Sequence, residues 1–151
     1  MKTFSTYLVL ATLGLTAVGC SDDSDDAAPS KTTLLTAKSW RPTAITVAGT
    51  NYIDFLLAEP CDKDDFITFK ADKTAVYDEG ADKCDTASPQ TSTGSWEFTN
   101  SEAKLKLTDP SGEVIEGDIL TLNSTTLSVR SSQDLLGTGT LVPVDFTFTA
   151  K

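Results

Sequence analysis

CDKDDFITFKADKTAVYDEGADKC, residues 61–84, holds two extended segments around one turn and carries a cysteine at each end. Residues 65–70 (DFITFK) alternate with a period of two, Ala71 to Thr74 have turn chemistry, and residues 74–79 (TAVYDE) resume the extended pattern. This predicts an antiparallel β-hairpin. A two-residue loop at Asp72 and Lys73 pairs Phe69 with Val76 and Ile67 with Asp78, and carried outward it sets Cys61 opposite Cys84. A three-residue loop with a bulge slides the pairing by one, gives Ile67 the better partner Tyr77, and still leaves the two sulfurs near bonding range. Both registers point to a Cys61–Cys84 disulfide across the open end of the hairpin.

Working outward, residues 33–38 read as a helical turn and residues 39–47 (SWRPTAITV) as the first strand, in which Pro42 implies an edge position or a bulge. Residues 51–59 (NYIDFLLAE) place Tyr52, Phe55, Leu56 and Glu59 at helical spacing behind the N-cap candidate Asn51, which predicts a short amphipathic helix. Beyond the hairpin come TSTGSWEFTN, KLKLTD, EVIEGDILTL, TTLSVRSS and LVPVDFTFTA, divided by turn signals at Asn100–Ser101, Pro110–Ser111–Gly112, Asn123–Ser124 and around Gly137 and Gly139. The total is eight strands.

Ile45, Val47, Ile67, Phe69, Val76, Trp96, Phe98, Leu105, Leu107, Leu120, Leu122, Leu127, Val129, Val144, Phe146 and Phe148 fall on one face, with Thr, Ser, Lys and Glu mostly on the other. Consecutive one-faced strands stack as a β-sandwich or close as an up-and-down barrel. Short loops and the removal of exposed edges favour an all-β, eight-stranded antiparallel barrel with a short helix after the first strand; the sandwich is the alternative.

The N-terminus reads as a processing segment: Lys2, the apolar run TYLVLATLGLTAV, then Ala17–Val18–Gly19–Cys20. The run is shorter than the ~20 residues of a membrane span. Ala17–Val18–Gly19–Cys20 resembles the lipobox of bacterial lipoproteins, with alanine at position 17 where that family usually has leucine. The resemblance implies cleavage of residues 1–19 and acylation of Cys20, with palmitate-type chains anchoring the protein to a membrane. Residues 20–32, rich in acid and poor in apolar residues, form a solvated tether, leaving 33–151 as the barrel domain. The run CSDDSDD resembles the acidic export signal that carries lipoproteins of one Gram-negative phylum to the outer face of the outer membrane; the alternative is a plain spacer at the periplasmic face.

Twelve basic and 22 acidic residues give a formal charge of −10. Loss of residues 1–19 removes Lys2 and no acid, which leaves 11 bases against 22 acids and a charge of −11. No basic cluster exists to displace counterions from nucleic acid. With no histidine in the chain, Ser-His-Asp, Cys-His and His-metal chemistry are excluded, and neither an enzyme nor a cofactor is expected. Asp62, Asp64, Asp65, Asp78 and Glu79 gather at the open end of the hairpin and form a candidate calcium site, against the plainer reading of a solvated acidic rim. Trp40 and Arg130 are candidates for a cation–π contact at one barrel end, against an ordinary surface arginine.

Ser39–Trp40, Cys61–Asp62–Lys63–Asp64–Asp65, the Ala71–Thr74 turn, Tyr77–Asp78–Glu79–Gly80, Cys84 and Gly94–Ser95–Trp96 resemble, in that order, the lipocalin-like domain of small bacterial lipoproteins across residues 34–150. The resemblance implies a β-barrel with room for an internal pocket and names no ligand. Ile67, Phe69, Trp96, Phe98, Leu120, Phe146 and Phe148 are then the candidate lining for a small apolar ligand, with the helix at 52–58 as its lid; a core packed by these same side chains, with loops and acidic rim engaging a protein or glycan, is the alternative. Nothing in the sequence sets the oligomeric state.

Overall fold

The computed structural model describes residues 28–135 and 137–151. The predicted signal segment, Cys20 and the tether up to residue 27 lie outside them. Among the described residues, strands β1 (Ser39–Val47), β2 (Thr50–Asn51), β3 (Phe66–Phe69), β4 (Thr74–Asp78), β5 (Thr91–Thr99), β6 (Lys104–Thr108), β7 (Val114–Leu122), β8 (Thr126–Gln133) and β9 (Val142–Ala150) form one antiparallel sheet. β1 pairs with both β3 and β9, so eight strands close into an up-and-down barrel, with β2 a stub on the end of β1. Pro42 pairs with Phe148 at a register shift between Pro42 and Ala44, the bulge that a proline in this strand implies.

One end of the barrel is closed. Helix α1 (Lys31–Thr36), which starts two residues before the predicted domain boundary, is capped by Ser30 Oγ accepting from Thr33 N–H at 3.1 Å. It lies against β3 and β7 and turns the fully buried Leu35 into the barrel. Trp40 is fully buried beneath it and donates its indole N–H to Leu35 O at 2.8 Å. Trp96 donates to Lys70 O at 2.9 Å and meets the rings of Phe69 and Phe98 edge-on, at 5.9 and 5.3 Å. Gly94 is required here: a Cβ at that position would stand 2.0 Å from Thr108 O on the neighbouring strand. That close approach explains the glycine of the Gly94–Ser95–Trp96 run.

Three expectations need correction. In the hairpin, Phe66 faces Asp78, Ile67 faces Tyr77 and Phe69 faces Ala75. This is the shifted, bulged register, with Lys73 at φ 72° in the turn. Ala75 and Tyr77 consequently point inward and Val76 outward beside Thr68, reversing the face assigned to Val76. In β7, a bulge between Ile119 and Thr121 inserts one extra residue, so Ile119 and Leu122 face the interior and Leu120 is 46% exposed. Helix α2 (Ile53–Leu56) is shorter than the predicted 51–59. Pro60 disfavours helical backbone at the residue before it, and Glu59 is extended at φ −79°, ψ 140° ahead of a 3-10 turn at Pro60–Lys63. The N-cap of α2 is Tyr52 rather than Asn51, and it gives no side-chain cap; Asn51 ends β2, its Oδ1 accepting from the N–H groups of Ile53 and Ile45 at 3.1 and 3.0 Å.

Candidate functional site

The opposite end of the barrel is open, and three spaces meet the solvent or the interior there. The innermost lies between Ile67, Phe69, Leu105, Leu107, Ile115, Leu127, Val129, Phe146 and Phe148 and measures about 80 Å³. Ligand sites usually run to about 300–1,000 Å³, so this space can take the end of a chain but not a whole ligand. Large side chains fill the rest of the interior. Of the candidate lining residues, Ile67, Phe69, Phe146 and Phe148 border it; Trp96 and Phe98 pack with Phe69 in the core, and Leu120 is outside.

A larger pocket of about 350 Å³ opens beside α2, bordered by Val47, Tyr52, Phe55, Leu56, Leu135, Thr138, Thr140 and Val142. Phe55 is 79% exposed, and Tyr52, Leu56 and Leu135 are also exposed. The helical spacing of Tyr52, Phe55 and Leu56 flagged this rim in the sequence; the 134–141 loop that completes it carried only turn signals.

The third space, about 330 Å³, arises because β1 and β3 part company. They pair only at Ser39–Thr68 and Trp40–Ile67, whereas β1 follows β9 along nearly its full length. Asp62, Asp65, Asp78, Glu79 and Asp109 border this chamber with Tyr77, Phe66, Ile67 and Phe148. Cys61 and Cys84 are bonded at its rim, Cα atoms 5.2 Å apart, with Asp62 beside Cys84. Asp64 faces away from the chamber: its Oδ2 accepts from the N–H groups of Ala81 and Asp82, which hold its carboxyl below the usual carboxylate range. Gly80, at φ +70°, is required because a Cβ there would fall 2.3 Å from the Asp64 carboxylate.

The five acids therefore do not converge as a calcium site. Among the described residues, the group with ligand atoms close enough for a metal is Cys61, Asp62 and Cys84, and both sulfurs of that group are already bonded to each other. Arg130 lies apart from Trp40. Its Nε and Nη2 donate to the two carboxylate oxygens of Asp145 at 2.6 and 2.7 Å, a two-pronged pair on the outer surface. The cation over a tryptophan is Lys73, with Nζ 3.9 Å from the Trp96 ring centre.

Burial, then the charges of Glu79, Asp64, Asp62 and Asp78, push the Asp65 carboxyl up to about 6. Burial, then Asp109, pushes the Tyr77 hydroxyl up to about 12. The folded chain thus keeps the Asp65 proton up to about pH 6, whereas the unfolded chain releases it near 3.8, the ordinary value for an aspartate. Stability associated with this group is present below pH 3.8 and is lost as pH rises toward 6. The full shift corresponds to about 3 kcal/mol; solvent screening of an incompletely enclosed carboxyl reduces it to about 1 kcal/mol. Asp65→Asn should therefore be more stable than the parent by about that amount at pH 7, with the gap closing by pH 4. Urea midpoints at both pH values check this, and equal midpoints at pH 7 would refute the assigned strain.

Comparison with curated proteins returns no match to this chain. The family model for the lipocalin-like domain matches residues 36–129, from the end of α1 into β8 and well over half the chain. With that match laid over a closed eight-stranded antiparallel barrel whose one end is plugged and whose other end is open, the chain belongs to the lipocalin-like domain family.

Proposed function

We propose that this protein is a lipid-anchored bacterial lipoprotein whose barrel binds a small apolar molecule at its open end, as a binding protein rather than an enzyme. The observation that carries the reading is the pocket beside α2. Four large side chains, Tyr52, Phe55, Leu56 and Leu135, stand exposed around about 350 Å³ of space. Covering an exposed phenylalanine alone is worth about 1.5–3 kcal/mol, so a ligand seated against this rim gains much of its affinity from surface the protein leaves uncovered.

Native mass spectrometry of the full chain, purified without denaturation, should show a co-purifying apolar molecule whose occupancy falls several-fold in Phe55→Asp. The melting temperature of that variant should stay within a few degrees, since Phe55 is outside the core. A ligand-free spectrum of the parent removes the support for this reading. The second reading, a packed barrel that engages a protein or glycan through its loops and acidic rim, is favoured by the small size of the inner cavity.

The anchor rests on the lipobox resemblance at Ala17–Val18–Gly19–Cys20 and on the acidic residues that follow. Cys20→Ser should leave an uncleaved or soluble form, so unchanged detergent-phase partitioning would sink it. Replacing Asp22, Asp23, Asp25 and Asp26 by alanine should keep the protein in the membrane but hide it from protease added to whole cells; unchanged protease access leaves only the spacer role.

A further inference from the structure

The walls of the pocket beside α2 narrow what it can bind, an inference that rests on the reading of that pocket as a ligand site. They are aromatic and aliphatic at Tyr52, Phe55, Leu56 and Leu135, and the side-chain polar atoms on them are the hydroxyls of Tyr52, Thr138 and Thr140. Among the described residues, none of the side chains that border the pocket is charged. Its volume of about 350 Å³ has room for on the order of ten non-hydrogen atoms at about 30 Å³ each.

The charges that adjoin these walls in the chain are already engaged. Asp54, which precedes Phe55 on α2, is paired with Lys63 at 2.7 Å. Asp134, which precedes Leu135, accepts from the N–H groups of Thr138 and Gly139 at 3.0 and 2.7 Å and so holds the loop that carries Thr138 and Thr140. A carboxylate ligand therefore meets no cation in the walls, and it approaches a chain of net charge −10. An ammonium ligand meets hydroxyls in the walls, and the two adjoining acids already hold partners. Covering either charge without an opposite one is costly, whereas covering a hydroxyl or carbonyl that keeps a hydrogen bond is not.

We propose that this pocket selects an uncharged amphiphile, an alcohol, ester or amide with an apolar body of about this size, and rejects the fatty acid and the alkyl amine of the same length. The apolar body covers Phe55 and Leu56, which stand 79% and 40% exposed. The neutral polar end exchanges hydrogen bonds with the wall hydroxyls, each of which both donates and accepts. Selection comes from the head group alone, because the three ligand classes share one chain. It works by leaving the wrong head group unpaired rather than by a contact reserved for the right one.

The test compares octanol, octanoate and octylammonium by isothermal titration against the full chain at pH 7.5, with each probe below the concentration at which it forms micelles. Octanol should bind at least tenfold more tightly than either ion. Phe55→Asp should lower octanol affinity at least tenfold, which assigns the binding to this pocket. Thr140→Lys sets a cation on the exposed loop beside the pocket and should raise octanoate affinity at least tenfold over the parent, with folding of both variants confirmed by thermal melts. Octanoate or octylammonium binding as tightly as octanol, and lost in Phe55→Asp, overturns the selectivity while leaving the pocket a ligand site. Binding of none of the three overturns both the selectivity and the reading on which it rests. Octanol binding that survives Phe55→Asp, or no gain of octanoate binding in a folded Thr140→Lys, also overturns the proposal. The comparison of probes on the unmodified chain decides the selectivity even if both variants fail to fold.

Discussion

Trp40→Ala should lower the unfolding free energy by about 3–5 kcal/mol, the range for emptying a large aromatic site in a packed interior. Trp40 is fully buried where α1, β1, β3 and β9 come together, opposite Ile67 on one side and Ala150 on the other. Removal of the indole leaves a void at the closed end and takes the donor away from Leu35 O, a carbonyl on a residue that is itself fully buried. A domain of this size holds only about 5–15 kcal/mol in total, so the variant should sit near the edge of folding at 37 °C. Trp40→Phe keeps most of the volume and loses the hydrogen bond, and should cost about 1–2 kcal/mol. Urea unfolding followed by far-UV circular dichroism measures both. A loss under about 1 kcal/mol for Trp40→Ala would mean that the closed end does not depend on its plug.

Opening the disulfide is expected to have the next largest effect. Cys61 and Cys84 are 23 residues apart in sequence, and closing a loop of that length restrains the unfolded chain by about 3 kcal/mol in the chain-entropy model. Cys61→Ser should lower the melting temperature by roughly 10 °C and leave the barrel folded, since the bond ties loops at the open end and neither cysteine belongs to the buried core. Reduction of the parent by dithiothreitol should reproduce the shift. A thiol count on denatured, non-reduced protein from an oxidising compartment should find neither of these two thiols free, and a finding of both free would refute the bond. The bond and Trp40 stand at opposite ends of the barrel, so the two losses should add.

The strand plan was legible because the barrel strands carry apolar alternation between clear turn signals, and Pro42 announced its own bulge. What failed was the inward face assigned to Val76 in β4 and to Leu120 in β7. The sequence EVIEGDILTL offers Ile119 and Leu120 as equal claimants to the inside; the bulge that separates Ile119 from Leu122 is set by pairing with β8, a contact that local periodicity cannot see. Val76 was misplaced for the same reason, because the three-residue turn at Lys73 inverts the faces of β4. The acids were found but their roles were not. Asp64 and Asp65 are neighbours of identical chemistry, yet one carboxylate caps Ala81 and Asp82 while the other borders a chamber. That difference comes from where residues 80–82 lie once the loop is tied down. The chamber itself depends on β1 leaving β3 after two residue pairs, which no window of sequence encodes.

The pairing of β1 with β9 sets the order in which the molecule can be made. Ser39–Val47 lies near the beginning of the described chain and Val142–Ala150 at its end, so the seam closes only when almost every other residue is in place. Long-range pairing of this kind makes folding slow compared with proteins of local contacts. Until the last strand docks, β8 and β1 present two unsatisfied edges, each able to recruit a strand from another copy. A chain shortened by its final nine residues would therefore be an aggregation-prone open sheet, and a newly made copy passes through the same exposed state before Lys151 N–H reaches Ser39 O and the seam is shut.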